Sequence, residues 1–167
     1  DDAAGHVFDT IIVGGGSAGC VMAARLSEDA DRSVLLIESG RDITAADCPP
    51  EALSPYPGYA YFDPSLTYAD LKVRYSEGVR NAPTERPAAP YSQGRALGGG
   101  SLVNGLGANR GAPADYEEWV AAGAEGWGWE DVLPYFRRLE RDLECGGVLH
   151  GTEGPLPIRR IPEDWRS

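Results

Sequence analysis

A run of β-branched residues near the start of the chain is followed at once by closely spaced glycines. Residues 11–13 are Ile, Ile and Val without polar alternation, which is typical of a short parallel strand buried on both faces. Gly14, Gly16 and Gly19 then fall in G-x-G-x-x-G spacing. In this spacing the first glycine permits a tight turn, the second leaves room for a pyrophosphate against the backbone, and the third lets the following helix pack close to the strand. The stretch therefore predicts a strand, a phosphate-binding turn and a helix.

An acidic residue ends the next apolar run and completes this pattern. Residues 33–38 predict a second buried strand, and its last residue, Glu38, follows Gly19 by 38 − 19 = 19 residues. That is close to the ~20-residue interval at which an acid hydrogen-bonds the ribose of a dinucleotide. The phosphates would lie at the helix N-terminus, where free N–H groups and the helix dipole favour anions. The alternative interpretation is a glycine-rich turn with an unrelated carboxylate.

Length and charge restrict the function further. A chain of 167 residues predicts a single domain, and a formal net charge of −11 argues against binding to nucleic acid or to an anionic membrane. No apolar run approaches the ~20 residues that span a bilayer, and the first residues lack the features of a secretory signal, so we expect a cytoplasmic protein. The three cysteines have no C-x-x-C spacing, and we expect no metal site.

The segment 41–93 has a different composition. It holds eight prolines, which exclude long helices and central strands, and seven aromatic residues, which are too many for a disordered linker. We expect an ordered excursion that packs on another part of the protein, with a short strand over residues 71–75. Long loops of this kind are commonly lids or binding loops, and the alternative is a plain surface insertion.

A second glycine cluster spans residues 94–111, with seven glycines in eighteen positions. Such a density is costly in backbone entropy unless another group must approach the main chain closely, as a flat ring would. Ser101 and Asn104 offer directed hydrogen bonds there, and Arg95 offers a positive charge toward a phosphate. Aliphatic residues interrupt the cluster, which argues against a flexible linker.

Two helices are predicted beyond the second glycine cluster. One opens at residues 113–119 with acidic residues in its first turn, and the other lies within residues 126–140, where apolar residues repeat at helical spacing. We interpret Trp127 and Trp129 as packing anchors rather than as a cofactor platform. From residue 144 onward the chain is again rich in glycine and proline, and we expect no closing element there.

With these motifs in place, the sequence resembles the N-terminal part of the glucose–methanol–choline (GMC) oxidoreductases, which are FAD-dependent alcohol oxidases and dehydrogenases. The resemblance runs from about residue 8 to about residue 161 and is most like the bacterial 5-hydroxymethylfurfural and aryl-alcohol oxidase branch. The matching motifs are residues 14–19 (GGGSAG), 38–40 (ESG), 94–104 (GRALGGGSLVN), 129–136 and 150–156 (HGTEGPL).

The resemblance implies an α/β, Rossmann-like FAD-binding domain and gives each matched position a role. The first glycine cluster with Ser17 would hold the pyrophosphate, Glu38 the adenosine ribose, and residues 94–108 the isoalloxazine and ribityl chain. Val103 replaces the histidine to which some members attach the flavin, so FAD should be noncovalent. The FAD-binding residues implied are Gly14, Gly16, Ser17, Gly19, Glu38, Ser39, Tyr75, Gly94, Arg95, Gly99, Ser101, Asn104, Gly105 and Ala108.

The implied activity is the oxidation of a primary alcohol, in our expectation an aromatic one, to the aldehyde by hydride transfer to the flavin. Oxygen or another acceptor would reoxidise the flavin. We expect no catalytic residue in this chain, because His6 precedes the first strand and His150 belongs to a loop motif. A downstream polypeptide would complete the fold and carry the active-site histidine, so 1–167 alone should be unstable and inactive.

Under this interpretation 1–167 is the N-terminal part of the FAD-binding domain, 41–93 is its lid, and 112–167 leads toward a substrate domain. Two alternatives keep the same FAD scaffold, namely a hydroxynitrile lyase and a photodecarboxylase. A third alternative is a nicotinamide-binding module that is unrelated to this family.

Overall fold

Two short parallel strands joined by a helix open the chain. The computed structural model describes residues 5–44, 46–56, 58–74 and 87–161, which fall into two units, Asp1–Gly107 and Ala108–Ser167. The first unit contains β1 (Thr10–Val13), α1 (Ser17–Leu26), β2 (Val34–Ile37), α2 (Pro50–Leu53), α3 (Gly58–Phe62), β3 (Lys72–Val73), β4 (Ala89–Pro90) and α4 (Gly100–Val103). The second unit contains α5 (Pro113–Ala121), α6 (Trp129–Leu139), β5 (Glu140–Asp142) and β6 (Leu156–Ile158).

The predicted βαβ start is confirmed. β1 pairs with β2 in parallel, with Ile12 opposite Leu36, and α1 packs on one face of the pair. Ile12 is 7% exposed beneath α1, whereas Ile11 and Val13 are exposed. Successive side chains of a strand alternate between faces, so α1 covers the face of Ile12 and leaves the face of Ile11 and Val13 open.

The described part of the segment 41–93 is ordered and contains only short helices, α2 and α3. Leu66 is fully buried and packs with Ala60 of α3 and Val103 of α4, so the segment lies on the second glycine cluster. The strand predicted over 71–75 is shorter, since β3 pairs with β4 through two residues each. Pro90 of β4 has no N–H to extend the ladder. Tyr75 lies outside the described residues.

The second unit contains both predicted helices. Asp115 accepts a hydrogen bond from the N–H of Ala112 at the start of α5, and Asp131 accepts one from Gly128 at the start of α6. Tyr116 is buried between α5 and α6, where its ring lies 5.7 Å from that of Trp129. These contacts agree with a packing role for the tryptophan. The parallel pair of β5 and β6 was not expected from the sequence, which predicted no closing element here.

Within the described ranges, each helix is too short or too polar to cross a bilayer.

Candidate dinucleotide-binding site

The two glycine clusters, which are far apart in sequence, touch each other at the C-terminal end of β1. The N–H of Gly98 donates to the carbonyl oxygen of Gly15 at 2.7 Å. A Cβ on Gly99 would lie 2.7 Å from the Cα of Gly16, which is closer than real Cβ atoms approach. Gly98 and Gly99 also have positive φ values of 99° and 49°, which favour glycine. The second glycine cluster was predicted to have another group close to its main chain, and part of that group is the backbone of the first glycine cluster.

The turn after β1 leaves the N-terminus of α1 open. Gly14 has φ 102°, and Gly16 is the N-cap without a side-chain capping bond. A Cβ on Gly16 would meet no atom within 4 Å, whereas a Cβ on Gly19 would lie 1.9 Å from the carbonyl oxygen of Gly14. Gly19 therefore lets α1 pack on the turn, and Gly16 leaves open space beside the helix N-terminus. That space fits a diphosphate, because the first N–H groups of α1 and its dipole favour an anion.

Glu38 ties the end of β2 to the glycine turn. Its Oε2 accepts the N–H of Gly15 at 2.7 Å, and its Oε1 accepts the N–H of Gly40 at 2.8 Å. The bond from Gly40 is the main cause that lowers the pKa of Glu38 below its ordinary value, and the bond from Gly15 adds to it against the opposing effect of burial. The carboxylate is thus held ionised. Its Oε1 also accepts a hydrogen bond from the Ser39 hydroxyl at 3.5 Å, whereas Oε2 accepts only the Gly15 N–H among the described contacts and retains a lone pair that a ribose hydroxyl can use.

Ser39 and Arg95 meet at an exposed tyrosine. Ser39 Oγ lies 2.9 Å from the hydroxyl of Tyr68, and the guanidinium of Arg95 lies 5.5 Å from the centre of the Tyr68 ring. Arg95 also donates to the carbonyl oxygen of Ser39 at 3.4 Å. The structure therefore brings both predicted residues to the end of β2, and a contact between Arg95 and a phosphate remains a prediction.

The remaining predicted residues of the second glycine cluster shape its backbone. Ser101 donates through its hydroxyl to the carbonyl oxygen of Gly98 at 2.6 Å, and Asn104 accepts the N–H of Leu106 at 2.7 Å. A Cβ on Gly94 would lie 2.4 Å from the carbonyl oxygen of Gly99. Gly105 faces open space. Their contacts with a flavin stay predictions, as does that of Ala108, the first residue of the second unit.

Sequence reasoning missed three residues of this site. Gly15 and Gly40 supply the N–H groups that hold Glu38, and a Cβ on Gly40 would lie 2.2 Å from the carbonyl of Arg95. Cys20 donates through its thiol to the carbonyl oxygen of Gly15 at 3.0 Å. Gly40 follows Glu38 in the motif ESG, so its role could have been inferred from the position of the acid; the sequence carries no comparable signal for Cys20.

An ionic cluster lies in the second unit. Glu140 and Asp142 project from the same side of β5, because residues two apart in a strand share a face. His150 Nδ1 lies 3.1 Å from Asp142 Oδ2 and 3.3 Å from Glu140 Oε1. Arg110 lies 2.5 Å from Glu140, and Arg160 lies 2.8 Å from Asp142. We call these five residues the ionic cluster.

The ligand atoms of Glu140, Asp142 and His150 are close enough together to hold a metal ion. Each carboxylate, however, already faces a guanidinium, which would repel a divalent cation. Glu140 also accepts the N–H of Gly151 at 2.7 Å, so it joins the loop after β5 back to the strand. The cluster is therefore suited to hold β5 and that loop together.

We predict that Asp142 contributes to stability in a pH-dependent way. Burial alone would raise the pKa of Asp142, but the N–H groups of Cys145 and Glu144 and the guanidinium of Arg160 outweigh it and lower the pKa to about 2. A lowered pKa in the folded state stabilises the protein above the unfolded value of about 3.9, and this stability is lost as the pH falls through about 2. Asp142→Asn should therefore lower the melting temperature of the full-length protein at pH 6.

The difference in melting temperature between the wild type and Asp142→Asn should become smaller as the pH falls from about 4 toward 2. Over this range the wild-type carboxyl becomes protonated and, like the amide of the variant, carries no charge. Calorimetry of both proteins at each pH measures it. An equal difference at pH 6 and at pH 2.5 would contradict the assignment.

Comparisons with known proteins agree with this geometry. The GMC oxidoreductase family matches residues 8–163. The 5-(hydroxymethyl)furfural oxidase of Methylovorus sp. (strain MP688) is 46% identical across 93% of this chain and 29% of that protein. The crystal structure of pyridoxine 4-oxidase from Mesorbium loti has a TM-score of 0.76 and 39% identity, and the match covers 96% of this chain and 30% of that chain. A formate oxidase from Aspergillus oryzae RIB40 has a TM-score of 0.70 and 30% identity over 90% of this chain and 26% of its own.

These neighbours share the predicted Rossmann-like FAD-binding fold, of which this chain covers the N-terminal part. The chain spans less than a third of the length of the relatives it matches. By its sequence and by its fold, it belongs to the GMC oxidoreductase family.

Proposed function

We propose that this chain supplies the FAD-binding part of an enzyme that oxidises a primary, aromatic alcohol to the aldehyde. The observation that carries the proposal is the contact between the two glycine clusters beside the open N-terminus of α1. That contact supports a single site, in which one cluster faces the pyrophosphate and the other continues toward the flavin ring.

FAD is the cofactor of this family, and the residues described here fit it. The space beside Gly16 suits the pyrophosphate, and the ionised Glu38 can accept hydrogen bonds from the ribose hydroxyls. Ser101 and Asn104 would orient the backbone of the second glycine cluster along the ribityl chain and the ring. When bound, FAD accepts the hydride from the carbinol carbon of the alcohol. Noncovalent binding follows from Val103, which offers no atom for attachment.

An aromatic substrate is supported by the names of two relatives. They specify 5-(hydroxymethyl)furfural and pyridoxine, which are both aromatic rings that carry a hydroxymethyl group. A Cβ on Gly105 would meet no atom within 4 Å, and we propose that this open space leaves room for the substrate ring.

The full-length holoenzyme tests the proposal. Under anaerobic conditions an aromatic primary alcohol should bleach the yellow flavin and yield the aldehyde, with a larger kcat/KM than an aliphatic alcohol. A flavin that stays oxidised would favour the lyase or photodecarboxylase alternative, and a preference for aliphatic alcohols would contradict the substrate class. Acid precipitation should release the flavin into solution.

We further propose that the rest of the full-length protein covers the open face of β1 and β2 and carries the active-site histidine. Ile11, Val13 and Ile37 are 57%, 83% and 46% exposed, although a parallel sheet normally has both faces covered. We also propose that the segment 41–93 is a lid over the cofactor and that 112–167 leads to a substrate domain in the rest of the protein. Oxygen or another small acceptor would complete the turnover.

We predict that Glu38→Ala weakens FAD binding by the order of 1–3 kcal/mol, because it removes a charged acceptor for the ribose hydroxyls. The variant also frees the N–H groups of Gly15 and Gly40, so its melting temperature must be recorded beside the flavin titration. Glu28→Ala is a matched control, since Glu28 is exposed and pairs only with Arg25 in the described contacts. Equal flavin affinity in both variants would refute the role of Glu38.

A further inference from the structure

A groove lined by aromatic and acidic residues lies between α2 and α3, outside the predicted FAD-binding residues. Its volume is about 460 Å³, and it is lined by Glu51, Tyr56, Gly58, Tyr59, Phe62, Asp63 and Pro64. We call it the aromatic groove. It lies within the segment 41–93 that we propose as a lid, and none of its residues is assigned a contact with FAD or with the alcohol.

Three aromatic rings of the groove are turned toward solvent. Tyr56, Tyr59 and Phe62 are 59%, 59% and 76% exposed. The rings of Tyr56 and Tyr59 meet edge to face, with centroids 5.1 Å apart and an angle of 69°. In such a pair one ring leaves its electron-rich face open. A contiguous patch of exposed aromatic rings commonly marks a binding site.

The position of the Tyr56 ring in the aromatic groove depends on Gly58. A Cβ on Gly58 would lie 2.5 Å from Cε1 of Tyr56, so the Tyr56 ring lies directly on the backbone of α3. The N–H of Tyr59 donates to the carbonyl oxygen of Tyr56 at 3.4 Å. The two rings are therefore placed by the backbone and need no ligand to bring them together.

Two carboxylates share the groove with the rings. Glu51 lies in the first turn of α2, and Asp63 follows α3, where its Oδ1 accepts the N–H of Ser65 at 2.8 Å. Among the described residues, no lysine, arginine or histidine lines the groove. A group that binds here must satisfy both the faces of the rings and the negative charge.

We propose that the aromatic groove binds a small quaternary ammonium cation. Such a cation is attracted to ring faces and to carboxylates at once, and its methyl groups keep hydration weak. A neutral apolar ligand would bury the two carboxylates without a partner, which is costly. A divalent metal ion prefers oxygen ligands, and the rings would contribute nothing to it. The groove lies outside the dinucleotide residues, so its test does not depend on flavin reduction.

The test is a proton NMR titration of the full-length holoprotein with tetramethylammonium chloride. We expect the methyl resonance of the bound cation to shift upfield through the ring currents, with a dissociation constant on the order of 1 mM. The neutral molecule tert-butanol should show no such shift. An unshifted tetramethylammonium resonance, as would arise if other polypeptide fills the groove, overturns the proposal.

Variants locate the binding. Tyr59→Leu removes a ring, and Glu51→Gln removes a charge at an exposed position. We expect each to raise the dissociation constant roughly three- to tenfold. Tyr135→Leu and Glu130→Gln are matched controls, since both residues are exposed in the second unit. Binding that is unchanged in Glu51→Gln, or equally weakened in the controls, would overturn the proposal.

Discussion

Two glycine-to-alanine variants at the start of α1 should have different effects, since one should lower stability and the other should lower the affinity for FAD. Gly19→Ala is expected to destabilise the first unit by about 3 kcal/mol, because the new Cβ would lie 1.9 Å from the carbonyl oxygen of Gly14, a backbone atom that cannot move aside as a flexible side chain could. Gly16→Ala is expected to leave stability nearly unchanged, since its φ of −74° suits alanine and its Cβ would meet no atom within 4 Å.

The same Gly16 methyl group would occupy the space that we assign to the pyrophosphate. We therefore expect Gly16→Ala to weaken FAD binding at least tenfold while the melting temperature of the apoprotein stays the same. Gly146→Ala is the control, because Gly146 lies in the second unit, outside the predicted FAD-binding residues, and a Cβ there would meet no atom within 4 Å. Thermal unfolding and flavin titration of the three full-length variants separate the two effects. Normal flavin affinity in Gly16→Ala would show that the phosphates bind elsewhere.

The second large effect is expected in the ionic cluster. Glu140→Gln keeps the shape of a buried side chain but removes the charge opposite Arg110, whose side chain is 18% exposed. A guanidinium that loses its partner in this environment costs about 2–3 kcal/mol. Hydrogen exchange of the full-length protein should then speed up in β5 and β6, while β1 and β2 are unaffected.

Glu153→Gln controls for the loss of one negative charge, since Glu153 is exposed in the same loop region. Equal exchange in wild type and Glu140→Gln would mean that the cluster does not hold β5 to the following loop.

The beginning of the fold could be predicted because its sequence signals are local. Residues 11–13, the glycine spacing and Glu38 lie within one βαβ unit, and the structure has each element where it was expected. The two later helices carry their own acidic first turns and apolar repeats. The alternative of a nicotinamide module outside the family is wrong, because the family match covers residues 8–163.

The parts that were missed depend on contacts between distant segments. β5 was not predicted because Glu140, Arg141 and Asp142 are three charged residues that no hydrophobic pattern identifies as a strand. Their alternation was still informative, since Glu140 and Asp142 share a face and His150 follows in the loop. The contact of Gly98 and Gly99 with the turn after β1 could not be predicted from the sequence. Each glycine cluster is explained by its own local backbone, so neither one indicates that it contacts the other.

The contact between the two glycine clusters also determines when the cofactor pocket can form during synthesis. Gly98 lies 98 − 15 = 83 residues after Gly15, so the phosphate turn stays without its partner until the ribosome has added those residues. At translation rates of roughly 5–20 residues per second the delay is roughly 4–17 seconds. During that time the nascent βαβ unit exposes its apolar strands and has half of its cofactor pocket. Cofactor capture in the cell is then expected only after the second glycine cluster has emerged.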